Sequence, residues 1–96
     1  MKTNHLEMAG ILANDPRYNS CSSSATFILV HNFGGNNQPL FLPCVVFLKE
    51  DGIRHRVSSL RKGNRINVSA FLRNSKGKVQ LVVQSISDYR GLFRTN

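Results

Sequence analysis

Six cations, Arg61, Lys62, Arg65, Arg73, Lys76 and Lys78, fall within the stretch RKGNRINVSAFLRNSKGK, and no acidic residue lies between Arg54 and Gln84. Scattered Lys and Arg ordinarily make only a solvated surface. At this density, around one alternating segment, they can line a groove for a polyanion. Phe71 sits among them, with polar residues at the alternate positions Arg65, Asn67, Ser69 and Arg73. A period of two therefore turns its ring toward water. A ring beside a row of cations suits a single nucleic-acid strand, whose phosphates are held by charge and whose base faces are held by stacking at about 1–3 kcal/mol per base. The alternative is that a second copy of the chain, or the loop 33–39, covers Phe71.

Other aromatic residues are less sharply defined. Phe41 and Phe47 lie in LFLPCVVFL (Leu40–Leu48), a run apolar on both faces, where composition alone places them in the core. Phe33 stands at a strand end beside Gly34 and Gly35, where exposure is natural. Phe27 alternates with Leu29 and is expected in the core. Tyr18, next to Arg17 in a turn-rich segment, either stacks on a base or caps the fold. Catalytic chemistry has little to build on: His5, His31 and His55 are dispersed, and no His/Cys/carboxylate group has metal-ligand spacing. The five carboxylates form no pair, and GIRHRVSSLRKG has no phosphate-loop pattern. Neither an enzyme nor a cofactor is expected.

Composition sets the frame. The 96 residues predict one domain spanning 1–96, with 1–4 and 90–96 as flexible ends. The net charge of +8 is unevenly placed: three cations against four carboxylates in residues 1–53, ten cations against Asp88 alone in residues 54–96. Cys21 and Cys44 could form one disulfide but have no CxxC spacing, and free thiols in a reducing compartment are expected. The start of the chain carries no apolar signal region, and the run Leu40–Leu48 is too short to span a membrane as a helix. A cytoplasmic protein without membrane partners is the expectation.

These residues are positioned by strands. HLEMAGILA (His5–Ala13) alternates, with Gly10 marking a bend or bulge of the kind barrel closure needs. NDPRYNSCSSS (Asn14–Ser24) reads as turns throughout, ATFILVHN (Ala25–Asn32) as a second strand, and Leu40–Leu48 as a third. Pro43 puts that third strand at an edge or at a bulge. In KEDGIRHRVSSLRKG (Lys49–Gly63) the period changes, and Ile53, Val57 and Leu60 predict a short helix ending near Gly63, or a loop with one helical turn. RINVSAFLR (Arg65–Arg73) points Ile66, Val68, Ala70 and Leu72 inward. NSKG (Asn74–Gly77) turns the chain into KVQLVVQSI (Lys78–Ile86). Five strands with a helical insertion between the third and fourth predict an all-β, five-stranded Greek-key OB-fold barrel.

NHLEMAGIL, FILVHN and KGNRINVSAFL leading into a basic hairpin resemble the bacterial single-stranded-DNA-binding OB-folds, and among these the primosomal replication protein N (PriB) branch. The resemblance covers about Asn4 to Tyr89. It rests on the order of elements and on these short motifs. The PriB branch is favoured over the general single-strand-binding protein by the absence, up to Asn96, of a Gly/Gln-rich linker and an acidic tail, by the absence of a Gly-Lys-Leu-Ala-type helix start, and by the size of one bare barrel. It implies a homodimer without catalysis that binds single-stranded DNA and contacts the restart helicase and other primosome proteins during reassembly of replication forks. It also implies an aromatic stacking position at Phe41, a basic hairpin at Arg73, Lys76 and Lys78, and a loose counterpart of first-loop basic residues in Arg17. The sequence departs from the pattern in having no tryptophan, a shorter hairpin turn, and Asn32 where the family carries a basic residue. From the residues alone, an RNA-binding OB-fold factor and a protein-docking assembly module remain open beside single-stranded DNA binding.

Overall fold

The computed structural model describes residues 5–31 and 38–88. Strand β1 (His5–Leu12) is followed by the short β2 (Arg17–Tyr18), β3 (Ser24–His31), β4 (Leu40–Phe47), helix α1 (Asp51–Ser58), β5 (Arg65–Ser75) and β6 (Lys78–Asp88). The sheet order is β1-β5-β6-β4-β3-β2, and an additional β1–β3 pairing closes it into a barrel. All pairs are antiparallel except β4–β6. Strand β2 arises inside the segment expected to be turns. Its two residues pair with Thr26 and Ala25, a tertiary contact with no local periodicity to reveal it. The expected ends, 1–4 and 90–96, and Asn32–Asn37 of the polar loop lie outside the described residues.

Closure happens at Gly10. Strand β1 pairs with β5 from His5 to Ile11 and with β3 at Ile11 and Leu12. Added at Gly10, a Cβ would lie 2.6 Å from the Val30 carbonyl oxygen and 2.8 Å from Leu29 Cγ. Only a residue without a side chain lets the two strands approach so closely. Strand β4 is not the edge strand expected from Pro43, since it lies between β6 and β3, and the proline is accommodated only locally. Strand β4 pairs with β3 along its whole length but with β6 only at Cys44–Val46, so Pro43, opposite Ile28, has a ladder neighbour on one side.

The barrel interior follows the alternation. Leu12, Phe27, Leu29, Cys44, Val46, Ile66, Val68, Ala70, Leu81 and Val83 form one core cluster. No described polar or charged side chain is buried. Helix α1 presents the expected face: Val57 and, just beyond the helix, Leu60 are buried in the same cluster, with Ile53 packed against it. The helix stops at Ser59, whose N–H donates to Arg56 O at 3.2 Å, and the next N–H, of Leu60, donates to Val57 O at 3.0 Å. Gly63 is not its terminus. With φ of +91° it instead shapes the turn into β5, and its N–H donates to Leu12 O at 2.8 Å.

Two expectations about the hairpin need correction. The turn is one residue later and tighter than NSKG: Ser75 pairs with Lys78, and Lys76 (φ +55°) and Gly77 (φ +81°) make a two-residue turn of the primed type. The Asn74 Oδ1 atom accepts the Gly77 N–H at 3.1 Å. Leu72, expected inward with Ile66, Val68 and Ala70, is 39% exposed. Its register partner Leu81 is still in the core, but no residue from Arg73 to Gln80 is, so Leu72 sits at the rim where the hairpin leaves the barrel.

Candidate nucleic-acid interface

Register partners in neighbouring strands carry their side chains on the same side of the sheet. Arg17, Thr26, Val45, Val82, Phe71 and His5 are successive partners across β2, β3, β4, β6, β5 and β1, and none belongs to the core cluster. They form one row on the outer face. Along β4, Phe41, Pro43, Val45 and Phe47 share that face, while Leu42, Cys44 and Val46 point into the barrel. The nine-residue apolar run is therefore double-sided: one set fills the core and the other faces out.

The exposures separate the aromatic candidates. Phe27 is 2% exposed and is core, as expected. Phe41 is 63% exposed, and Phe47 is 40% exposed rather than buried. Phe71 points outward as its alternation requires, but it is half-buried. Phe71 shares an open depression with Phe47, Lys49, Glu50, Arg73 and Val82. Its floor is Val82, which with Val45 is nearly fully covered although both lie on the outer face. Those two valines are what the sequence reading missed; the unbroken VV dipeptides at 45–46 and 82–83 were the available signal. Phe41 and Phe47 are six residues apart on β4, about 20 Å, so they would engage different bases of one strand.

Arg73 ties the hairpin to this face. Its guanidinium lies 5.7 Å from the Phe47 ring centroid, a cation–π arrangement, and donates to Gln80 Oε1 at 2.8 Å. The contact sets a cation against an exposed ring on the outer face, the two kinds of group that hold phosphates and base faces. Lys76 occupies the hairpin turn and Lys78 opens β6, both exposed. Arg17, exposed on β2, stands at the opposite margin of the same face, about 10 Å from Val45 across two strand spacings.

The remaining candidates are placed elsewhere. Arg61, Lys62 and Arg65 do not converge with the hairpin cations. They lie at the other end of β5, about 27 Å away over the eight residues from Arg65 to Arg73. The Arg61 guanidinium donates to Ser58 O at 3.0 Å and Leu60 O at 2.7 Å, which satisfies carbonyls at the end of the helical segment. The Lys62 N–H donates to Asp15 Oδ1 at 2.7 Å. Tyr18, partnered with the core residue Ala25, is on the inward side at the β2 margin, half exposed, which fits the capping alternative rather than the outer face. Phe33 lies outside the described residues.

Of the two thiols, Cys21 is exposed and Cys44 buried, and both are free. Burial pushes the Cys44 thiol up to about 12, against a weaker opposing backbone hydrogen bond.

No protein-family model and no curated protein sequence matches this chain. Solved structures do resemble it. The mitochondrial single-stranded DNA binding protein Rim1 of S. cerevisiae superposes with a TM-score of 0.73 at 17% identity, covering 93% of this chain and 100% of its own. A chain of the S. pombe Stn1–Ten1 complex gives a TM-score of 0.73 at 17% identity, covering 95% of this chain and 62% of that one. The shared fold is the OB barrel, as the strand order predicts.

Proposed function

We propose that the outer face of β3 and β4, with the β5–β6 hairpin, binds single-stranded DNA, and that the protein has no catalytic activity of its own. One observation carries this: Phe41 and Phe47 are left exposed on the same face, with the Arg73 guanidinium set over the Phe47 ring. An apolar ring held in water on a strand is explained by a ligand with flat faces, and a cation over it by a ligand with phosphates. The likeness to Rim1, named for binding single-stranded DNA, supports the reading.

The finer role proposed is a cytoplasmic homodimer that assists primosome reassembly at stalled forks, in contact with the restart helicase. It rests on the resemblance of NHLEMAGIL, FILVHN and KGNRINVSAFL to the PriB branch. The dimer is tested by sedimentation at micromolar concentration, where a species near 10.8 kDa would refute it. The DNA reading is tested by filter binding of oligo-dT, oligo-U and duplex DNA under one salt condition. Preference for oligo-dT supports it. Preference for oligo-U would reassign the face to RNA, and failure to bind any of the three would leave it as a protein-docking surface.

A further inference from the structure

Arg65 on β5, and Arg61 and Lys62 just before it, are not absorbed by the aromatic face, yet β5 leads directly from that face to Arg65. We propose that a single strand bound at Phe41, Phe47 and Arg73 continues along the outer face of β5 and β6 to a second phosphate-holding site formed by Lys62 and Arg65. This inference rests on the single-strand reading above and extends its footprint.

Outward positions of β5 run without interruption from Arg73 through Phe71, Ser69 and Asn67 to Arg65. Their β6 partners beyond Phe71 are Ser85, opposite Ser69, and Ser87, opposite Asn67. Hydroxyls and an amide thus replace rings and cations in the middle of the path, and Asn67, Ser69, Ser85 and Ser87 line one open depression. Neutral donors in an exposed channel suit the sugar–phosphate backbone, which accepts hydrogen bonds from Ser and Asn as well as from cations. The irregularity between Ser69 and Ala70 inserts Gln84 as an extra residue on β6, turning both Gln84 and Ser85 out to solvent.

At the far end, Arg65 lines a second depression with Asn64, Ser59 and Arg56. Arg56 is anchored there, its Nε donating to Ile86 O at 3.2 Å and its Nη1 lying 3.3 Å from Asp88 Oδ1. Asp88 is thereby partly neutralised. Among the described residues, no carboxylate forms an ion pair with the side chain of Lys62 or Arg65, although Asp15 Oδ1 accepts the Lys62 backbone N–H. Lys62, exposed three residues before Arg65, lies outside the lining of that depression. One acid flanks the middle of the path, Glu7 on β1, whose carboxylate lies 3.8 Å from His5 Nε2. Its presence directs the strand toward the β6 side, over Ser85 and Ser87. From Arg73 to Arg65 the track is about 27 Å long, so a ligand must be long enough to reach both ends.

Length dependence tests this. Binding is measured against salt for oligothymidines of about four and about sixteen nucleotides, the limits of the site sizes one such barrel takes. The variants are Lys62→Ala/Arg65→Ala and, separately, Phe41→Ala. Both cations are exposed, and circular dichroism confirms the fold. The double variant should lower the salt slope of the long oligonucleotide by about 1.4, at about 0.7 per phosphate contact, and leave the short one unchanged. Phe41→Ala should weaken both. If Phe41→Ala weakens binding while the double variant leaves the long ligand untouched, the continued path is wrong and the aromatic face stands. Equal weakening of both lengths by the double variant would mean general attraction rather than a second site, and also overturns it. A shift in sedimentation without a change in binding would assign this face to a second copy of the chain. If no variant affects either ligand, the single-strand reading itself has failed.

Discussion

Replacing Phe41 with alanine separates a binding ring from a packing ring. Folding covers only about a third of Phe41, which stays 63% exposed. Full burial of such a side chain is worth about 1.5–3 kcal/mol, so losing a third of it costs about 0.5–1 kcal/mol of stability. In a domain of this size that is a fall in Tm of about 2–8 °C. Phe27, at 2% exposure in the middle of the core, should cost about 3–5 kcal/mol when truncated, enough to unfold the domain or nearly so. Binding should show the opposite order. Removing one stacked base contact takes away about 1–3 kcal/mol, so Phe41→Ala should weaken oligo-dT affinity by about five- to 150-fold. Fluorescence anisotropy with labelled oligo-dT and a thermal melt of the same preparation give both quantities. A Phe41→Ala protein that melts more than about 15 °C early but binds normally would mean that the ring packs rather than stacks.

Removing the hairpin charge in Arg73→Ala/Lys76→Ala/Lys78→Ala should reduce the salt slope of single-strand binding by about 2, at about 0.7 per phosphate, with little loss of fold. Unchanged affinity and slope would take the hairpin out of the interface. Thiol labelling of the native protein should modify Cys21 alone, and Cys44 only after denaturation. Because the Cys44 thiol is raised from 9.0 to about 12, its contribution to stability is fully present below pH 9 and lost as the pH climbs toward 12. Urea midpoints measured across that interval should fall, and fall less in a Cys44→Ala protein, which lacks the titrating group.

Much of this was legible because alternation is local and strong. The inward set Ile66, Val68 and Ala70, the outward Phe71, the bend at Gly10 and the helical face of Val57 and Leu60 all stand where a period of two or 3.6 puts them. Three things were not legible. Leu72 follows the same alternation yet emerges from the barrel, because where a strand outruns its core is set by the length of its neighbours. Phe47 has apolar neighbours on both sides in sequence, so no local pattern tells a core ring from an outward one until β4 is paired with β3 and β6. The six cations look like one cluster in eighteen residues, but an extended strand carries them apart. Arg61, still exposed, turns back onto the carbonyls of Ser58 and Leu60, while Arg73 reaches across to Phe47.

The most direct measurement of the central claim is an NMR titration of the phenylalanine ring signals with oligo-dT. If the outer face is the binding site, the ring protons of Phe41 and Phe47 move on addition of the oligonucleotide, through the ring currents of stacked bases, while those of Phe27 stay in place. Saturable binding in which the Phe41 and Phe47 signals do not move, with amide shifts confined to α1 and the segment after it, would contradict it.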